Sequence, residues 1–372
     1  MSAAFHHPNS EGDAGMPQAG PDGCPARPHL WRTQHPCIAE YRSAGRKPHG
    51  IIGALTDGGR VMRVLVLGAG ALGGYFGARL LEAGAELAFL VRPRRQQQLQ
   101  RDGLTIQCPV FGAWRRPVTA LLATEVRPGW DVVLLTCKAY DLQDAIDAIR
   151  PAVGPGTAIL PVLNGLGHID TLRAAFGEAA VLGGVAKIRA TLDSTGTVRN
   201  LSDWRSLTLG ELDGGLSPRV EAFAALARQG GLLAEAVPDI RRVLWAKLVH
   251  LGTVAAGTVL LRGSTGQIAR APGGTAFMHT LLERNAAIAA HRGHPMTMAF
   301  LDEYRALLAD PAGRYTASML RDLEAGHRVE ADPILGFLLE EARAAGLDTT
   351  LHALAYLHAK TYEQRRAEEN PA

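Results

Sequence analysis

The sequence predicts an α/β domain with a doubly wound parallel sheet, followed by an all-α C-terminal domain. Three observations carry this. An apolar run, Val64-Leu65-Val66-Leu67, leads directly into Gly68-x-Gly70-x-x-Gly73. Strand-like and helix-like spacing of apolar residues then alternate from residue 63 to about 185. Beyond Pro238 the spacing is helical almost throughout, with Gly and Pro at the joins.

Taken in order, residues 63–67 form the first strand, free of charge after Arg63 as a strand buried on both faces must be. The glycines suit a tight strand-to-helix turn of the Rossmann type. Gly68 turns the chain, Gly70 lets the backbone approach a bound group, and Gly73 lets a helix over 71–83 lie against its strand. Residues 86–91 make a second strand; residues 130–137 and 157–163 make two more, with a helix over 141–149 between them. From Lys187 to Glu211, alternating runs around the turn Asp193-Ser194-Thr195-Gly196 predict antiparallel strands that extend the same sheet. A helix over 219–229 closes this domain, which is expected to span 62–237. The helical domain is expected over 238–366, with helices at 240–260, 275–292, 297–308, 316–325, 333–345 and 350–366, and a tail at 367–372.

Residues 1–61 have the composition of a disordered leader. They lack the basic start and apolar segment of a secretory signal, and Met62, directly before the first strand, is an alternative translation start. The leader holds His6, His7, His29, His35, Cys24 and Cys37, but no compact ligand spacing repeats, so no metal site is expected.

With 372 residues, 47% of them hydrophobic and 20% charged, the chain is long enough for two ordinary globular domains. A net charge of +3 excludes the footprint of a dedicated nucleic-acid binder or a polybasic membrane anchor. The longest apolar run, 248–261, is interrupted by His250 and shorter than the ~20 residues a bilayer requires. The four cysteines show no close pairing, as expected of a reduced, cytoplasmic protein. A small molecule is the expected partner, and a homodimer is left open.

Gly68-Ala69-Gly70-Ala71-Leu72-Gly73 opens a helix N-terminus, where backbone N–H groups and the helix dipole favour a dinucleotide pyrophosphate. About twenty residues on, the second strand ends in Arg92-Pro93-Arg94-Arg95 where NAD-binding chains usually carry a carboxylate. A guanidinium there suits a 2′-phosphate, so the expected cofactor is NADP(H), with a solvated basic loop as the plainer alternative. Lys138 and Asn164 follow the third and fourth strands, at the sheet edge where ligands bind; alone, each reads equally as scaffold. Lys247 lies within an apolar helix, where an ammonium needs a carboxylate partner, and Glu330 is available. Such a lysine can protonate a carbonyl as hydride arrives, or it can be a snorkelling residue in a structural ion pair.

The ordered set of the glycine turn, Arg92, Cys137-Lys138-Ala139, Asn164-Gly165, Trp245-x-Lys247-Leu248, and Ser318-Met319-Leu320-x-Asp322 with Glu330 and Asp332 resembles the ketopantoate (2-dehydropantoate 2-) reductases over residues 63 to about 365. The resemblance implies NADPH-dependent reduction of a 2-keto acid in pantothenate biosynthesis. It also implies that Lys247 is the general acid and Glu330 the carboxylate that orients lysine and substrate. Ser318 corresponds to a position that helps bind the substrate carboxylate; Lys138 and Asn164 correspond to positions near nicotinamide and substrate. The chain departs from the family pattern at Leu251, Ala255 and Tyr315, where asparagines are usual. Leu251 and Ala255 share a helical face with Lys247, so a reductase of a less polar keto acid is the nearest alternative. A redox-sensing NADP-binding protein without turnover is the alternative from another class.

Overall fold

The computed structural model describes residues 60–369. The readings of the leader and of its histidines and cysteines fall, apart from Arg60 and Val61, outside the described residues. In chain order the first half contains β1 (Arg63–Leu67), α1 (Ala71–Glu82), β2 (Glu86–Leu90), α2 (Pro93–Asp102), β3 (Leu104–Cys108), β4 (Gly112–Arg116) and β5 (Thr119–Leu121). It continues with β6 (Val132–Leu135), α3 (Leu142–Ile149), β7 (Ala158–Pro161), α4 (Gly167–Phe176), β8 (Leu182–Leu192), β9 (Thr197–Glu211), α5 (Pro218–Gln229) and β10 (Leu233–Ala236).

Five of these strands form the expected parallel sheet in the order β5-β2-β1-β6-β7. β1 lies at its centre, with Val64 opposite both Leu87 and Val132. Val64, Leu65 and Val66 are wholly buried, which is why this strand carries no polar side chain after Arg63. The chain crosses from β2 to β6 on either side of β1, so the carboxyl ends of β1 and β6 open a crevice at that switch point.

The hairpin of β8 and β9 does not extend this sheet as the sequence pattern predicts. It belongs to a second sheet, ordered β10-β9-β3-β4 with β8 on β9; an isolated parallel bridge, Ile159 to Val181, joins the first sheet to the residue just before β8, and Gly184 of β8 packs closely on Pro161 of β7. Alternation identifies a strand but not its neighbour. Here β3 and β10, short strands of five and four residues, occupy the other positions beside β9. α1 lies between the sheets: a Cβ on Gly74 would stand 2.9 Å from Val198 of β9.

The second half is helical: α6 (Ile240–Leu261), α7 (Thr265–Arg270), α8 (Gly274–His291), α9 (Met298–Ala309), α10 (Ser318–Glu324), a π turn (Asp332–Gly336), α11 (Phe337–Ala344) and α12 (Thr350–Glu369). The short α7 escapes the apolar spacing. The expected tail is helical as far as Glu369, because α12 runs on. α6 starts at Asp239, whose carboxylate accepts from the Arg242 N–H at 3.1 Å. It is apolar and long enough to cross a membrane, but 67% of that stretch is buried, as the central helix of a packed domain requires. Gly252 and Gly257 let neighbours close in: a Cβ there would lie 2.2 Å from Leu338 Cδ1 and from Met278 Sδ, respectively. One apolar core joins α6 and its neighbours to the face of the parallel sheet that carries Leu65, Leu67, Val133 and Leu135.

Candidate active site

The glycine turn has the shape its residues predict. Gly68 adopts φ +95°, which a side chain would strain, and the Thr136 hydroxyl donates to Leu67 O at 2.8 Å beneath it. A Cβ on Gly73 would lie 2.1 Å from Gly68 O, so α1 can only sit this close to β1 without one. Above Gly70 there is open space instead, and no side chain caps the first turn of α1 at Ala71, Leu72 and Gly73. The free N–H groups and the room above them fit a pyrophosphate.

The arginines that follow β2 divide in two. Arg95 is turned inward, donating from Nε and Nη2 to Ala69 O at 3.1 and 2.8 Å, which braces the glycine turn. It is not available to a ligand. Arg92, at the N-cap of α2, is largely exposed and pairs with Asp141 at 3.3 Å; Arg94 is exposed.

Lys138 and Asn164 extend from the ends of β6 and β7 towards Glu330. Glu330 is 5% exposed, and both its oxygens are engaged. Oε1 accepts from the Ala139 N–H at 3.2 Å, and Oε2 accepts from Lys138 Nζ at 3.1 Å and Asn164 Nδ2 at 3.3 Å. Lys138 also reaches Asp322 at 3.3 Å. Burial disfavours the Lys138 ammonium, but the two carboxylates outweigh it and raise its pKa. The approach depends on Gly165, at φ +80°: a Cβ there would stand 2.2 Å from Pro333 O in the π turn. That glycine lets the sheet edge meet the segment that delivers Glu330.

Here the expected pairing needs correction. Glu330 makes its ion pair with Lys138, not with Lys247, because its oxygens are already occupied by donors from the sheet edge. Lys247 is half-buried on α6 and has no ion-pair partner among the described residues. Burial pushes its pKa down to about 8, and the charge of Glu330, acting without contact, offsets only part of that fall. Ser318 stands at the first position of α10, one turn before Asp322, and its side chain makes no hydrogen bond among the described residues.

Several residues near Lys247 lack any local sequence motif. His168, 5% exposed at the start of α4, is held neutral with a pKa of about 3, by burial and then by the charge of Lys247. Lys187 on β8 is pushed to about 8, by burial and then by Lys247. His250, one turn beyond Lys247, is lowered to about 3 by burial and by Lys187. Its Nε2 lies 3.1 Å from the Tyr315 hydroxyl, and its ring packs between Tyr304 and Tyr315 at centroid distances of 4.4 and 5.4 Å. The available signal for Lys187 was its parity with Val185 in an alternating strand.

Comparison with known proteins agrees with this architecture. Residues 64–214 match the family model described as ketopantoate reductase PanE/ApbA, and residues 239–363 match the model of its C-terminal part. The chain is 31% identical to an uncharacterized oxidoreductase, YkpB, of Bacillus subtilis, over 82% of this chain and 100% of the relative. It is 29% identical to the 2-dehydropantoate 2-reductase of Archaeoglobus fulgidus, over 79% of this chain and 95% of that one. The crystal structure of 2-dehydropantoate 2-reductase from Methylococcus capsulatus superposes with a TM-score of 0.74 at 28% identity, covering 82% of this chain and 98% of that one. With both halves matched in order and relatives spanned almost end to end, the chain belongs to the ketopantoate reductase family of oxidoreductases.

Proposed function

We propose that this protein is a cytoplasmic NADPH-dependent reductase of a 2-keto acid, with 2-dehydropantoate, reduced to pantoate, the favoured substrate. The glycine turn at residues 68–73 would hold the pyrophosphate, and Arg92, with Arg94 beside it, the 2′-phosphate. When bound, the cofactor supplies hydride to the keto carbon. The chain's own part is to place the carbonyl and provide the proton. Lys247 donates from Nζ to the carbonyl oxygen and is reprotonated from solvent, leaving the alcohol. Glu330 holds Lys138 and Asn164 at the sheet edge as a rigid polar wall, and Ser318 stands at the helical side for the substrate carboxylate.

The observation that carries this reading is the state of Lys247. A lysine without an ion-pair partner and with a pKa of about 8 is protonated near neutrality yet acidic enough to give its proton up. NADPH oxidation against a panel of 2-keto acids tests it. Lys247→Ala should lower kcat by roughly 10²- to 10⁴-fold with NADPH affinity nearly unchanged. Near-normal kcat in the variant would make the lysine structural, and cofactor binding with no turnover across the panel would favour a sensor.

A further inference from the structure

Leu251 and Ala255 put no hydrogen-bond donor on the face of α6 that carries Lys247. The donor returns from the strand packed beside it. β8 alternates: Ala186 and Ile188 pack on the core shared by the two sheets, and Val185 packs on the core beneath the helices, so Lys187 shares the face of Val185. That face is covered by α6, since a Cβ on Gly183 would lie 2.7 Å from Ile240 Cγ1 and 3.1 Å from Leu244 Cδ1.

Four residues further along the strand is a rise of about 13 Å, at ~3.3 Å per residue. The same rise along α6 is about eight or nine residues. For a helix running alongside the strand, that leads from Ile240 and Leu244 to residues 248–253, the stretch holding His250 and Leu251. The electrostatics agree: Lys187 feels the charge of Lys247, and His250 feels that of Lys187. The other charged groups acting on Lys187 are Glu303 of α9 and Glu235 of β10. Tyr304 and Tyr315 enclose His250 on the same side.

We propose that Lys187 is the specificity-determining residue of the substrate pocket: its ammonium takes an oxygen acceptor on the tail of the 2-keto acid, a task Leu251 and Ala255 cannot perform. The assignment rests on the reductase reading. It turns the expectation from the helix face around, because a pocket judged from Leu251 and Ala255 alone prefers an alkyl tail, whereas one completed by Lys187 prefers an oxygen.

The test compares kcat/KM for three 2-keto acids of similar size, with hydroxyl, carboxylate and alkyl tails, in the parent and in Lys187→Met. The ratio of oxygen-bearing to alkyl tail should exceed one in the parent and fall by ~10- to 100-fold in the variant, mainly through KM. Lys187→Arg should retain part of the preference. Leu251→Asn added to Lys187→Met should restore it for the hydroxyl tail. The two oxygen-bearing substrates separate a neutral acceptor from an anion. Should Lys187→Met fail to fold, Lys187→Leu serves the same comparison. A ratio equal in parent and variant, or a uniform loss on all three substrates, overturns the assignment while leaving the reductase intact. A parent that neither binds nor turns over any of the three, by calorimetry and NADPH oxidation, overturns the reductase reading and the assignment together.

Discussion

Replacing Glu330 by Gln preserves shape and removes one charge at the point where the two halves of the chain meet. In the parent, that carboxylate accepts from Lys138, the Ala139 N–H and Asn164 at 3.1 to 3.3 Å and is 5% exposed. Breaking a fully buried ion pair costs about 3–5 kcal/mol. Lys138 is 43% exposed and keeps Asp322 at 3.3 Å, so the loss of stability here should be nearer ~1–2 kcal/mol. The effect on chemistry is more telling. Glu330 is the carboxylate that opposes the burial-driven fall of the Lys247 pKa, so without it that pKa drops further below about 8. A general acid must be protonated, so activity is lost as pH rises through its pKa. The alkaline limb of kcat/KM should therefore move to lower pH, by up to about one unit for ~1.4 kcal/mol of lost interaction. The measurement is the pH profile of NADPH oxidation in parent and Glu330→Gln, with thermal melts for stability. An alkaline limb that stays in place, or moves upward, would refute the electrostatic link between Glu330 and Lys247.

Other substitutions test the cofactor end. Arg92→Ala should weaken NADPH binding by about 1–3 kcal/mol more than NADH binding in fluorescence titrations; equal losses would remove Arg92 from the 2′-phosphate. Gly70→Ala and Gly73→Ala should separate binding from folding. A Cβ at Gly70 meets nothing within 4 Å, so Gly70→Ala should melt close to the parent and lose NADPH affinity. A Cβ at Gly73 would meet Gly68 O at 2.1 Å, so Gly73→Ala should lose roughly 1–3 kcal/mol of stability as well. Equal melting temperatures for the two variants would contradict the close packing of α1 on β1.

The glycine turn, β1, β2 and the long helix α6 were legible because each is dictated locally. A strand buried on both faces admits only apolar residues, a turn at φ +95° selects Gly68, and a helix packed on several sides carries apolar residues all round. The sheet to which the β8–β9 hairpin belongs was not legible, because alternation names the buried face and leaves the neighbour unspecified. Nor could the run Arg92-Pro93-Arg94-Arg95 reveal that Arg95 would turn back to brace Ala69 while Arg92 stayed outside.

The site divides along the same line. The sequence by itself determined which residue types stand at the carboxyl ends of β6 and β7 and on α6, and so which groups were available: Lys138, Asn164, Lys247 and Glu330. Only the tertiary structure decided who meets whom. Glu330 lies more than 160 positions from Asn164, and its choice of Lys138 over Lys247 follows from how closely Gly165 lets the π turn approach. Lys187 acquires its meaning in the same way, because a lysine in a strand is ordinary until a helix bearing Lys247 is laid across it. Local rules act through the covalent chain over a few residues, whereas desolvation and charge act through space, and both depend on which surfaces the fold has closed together.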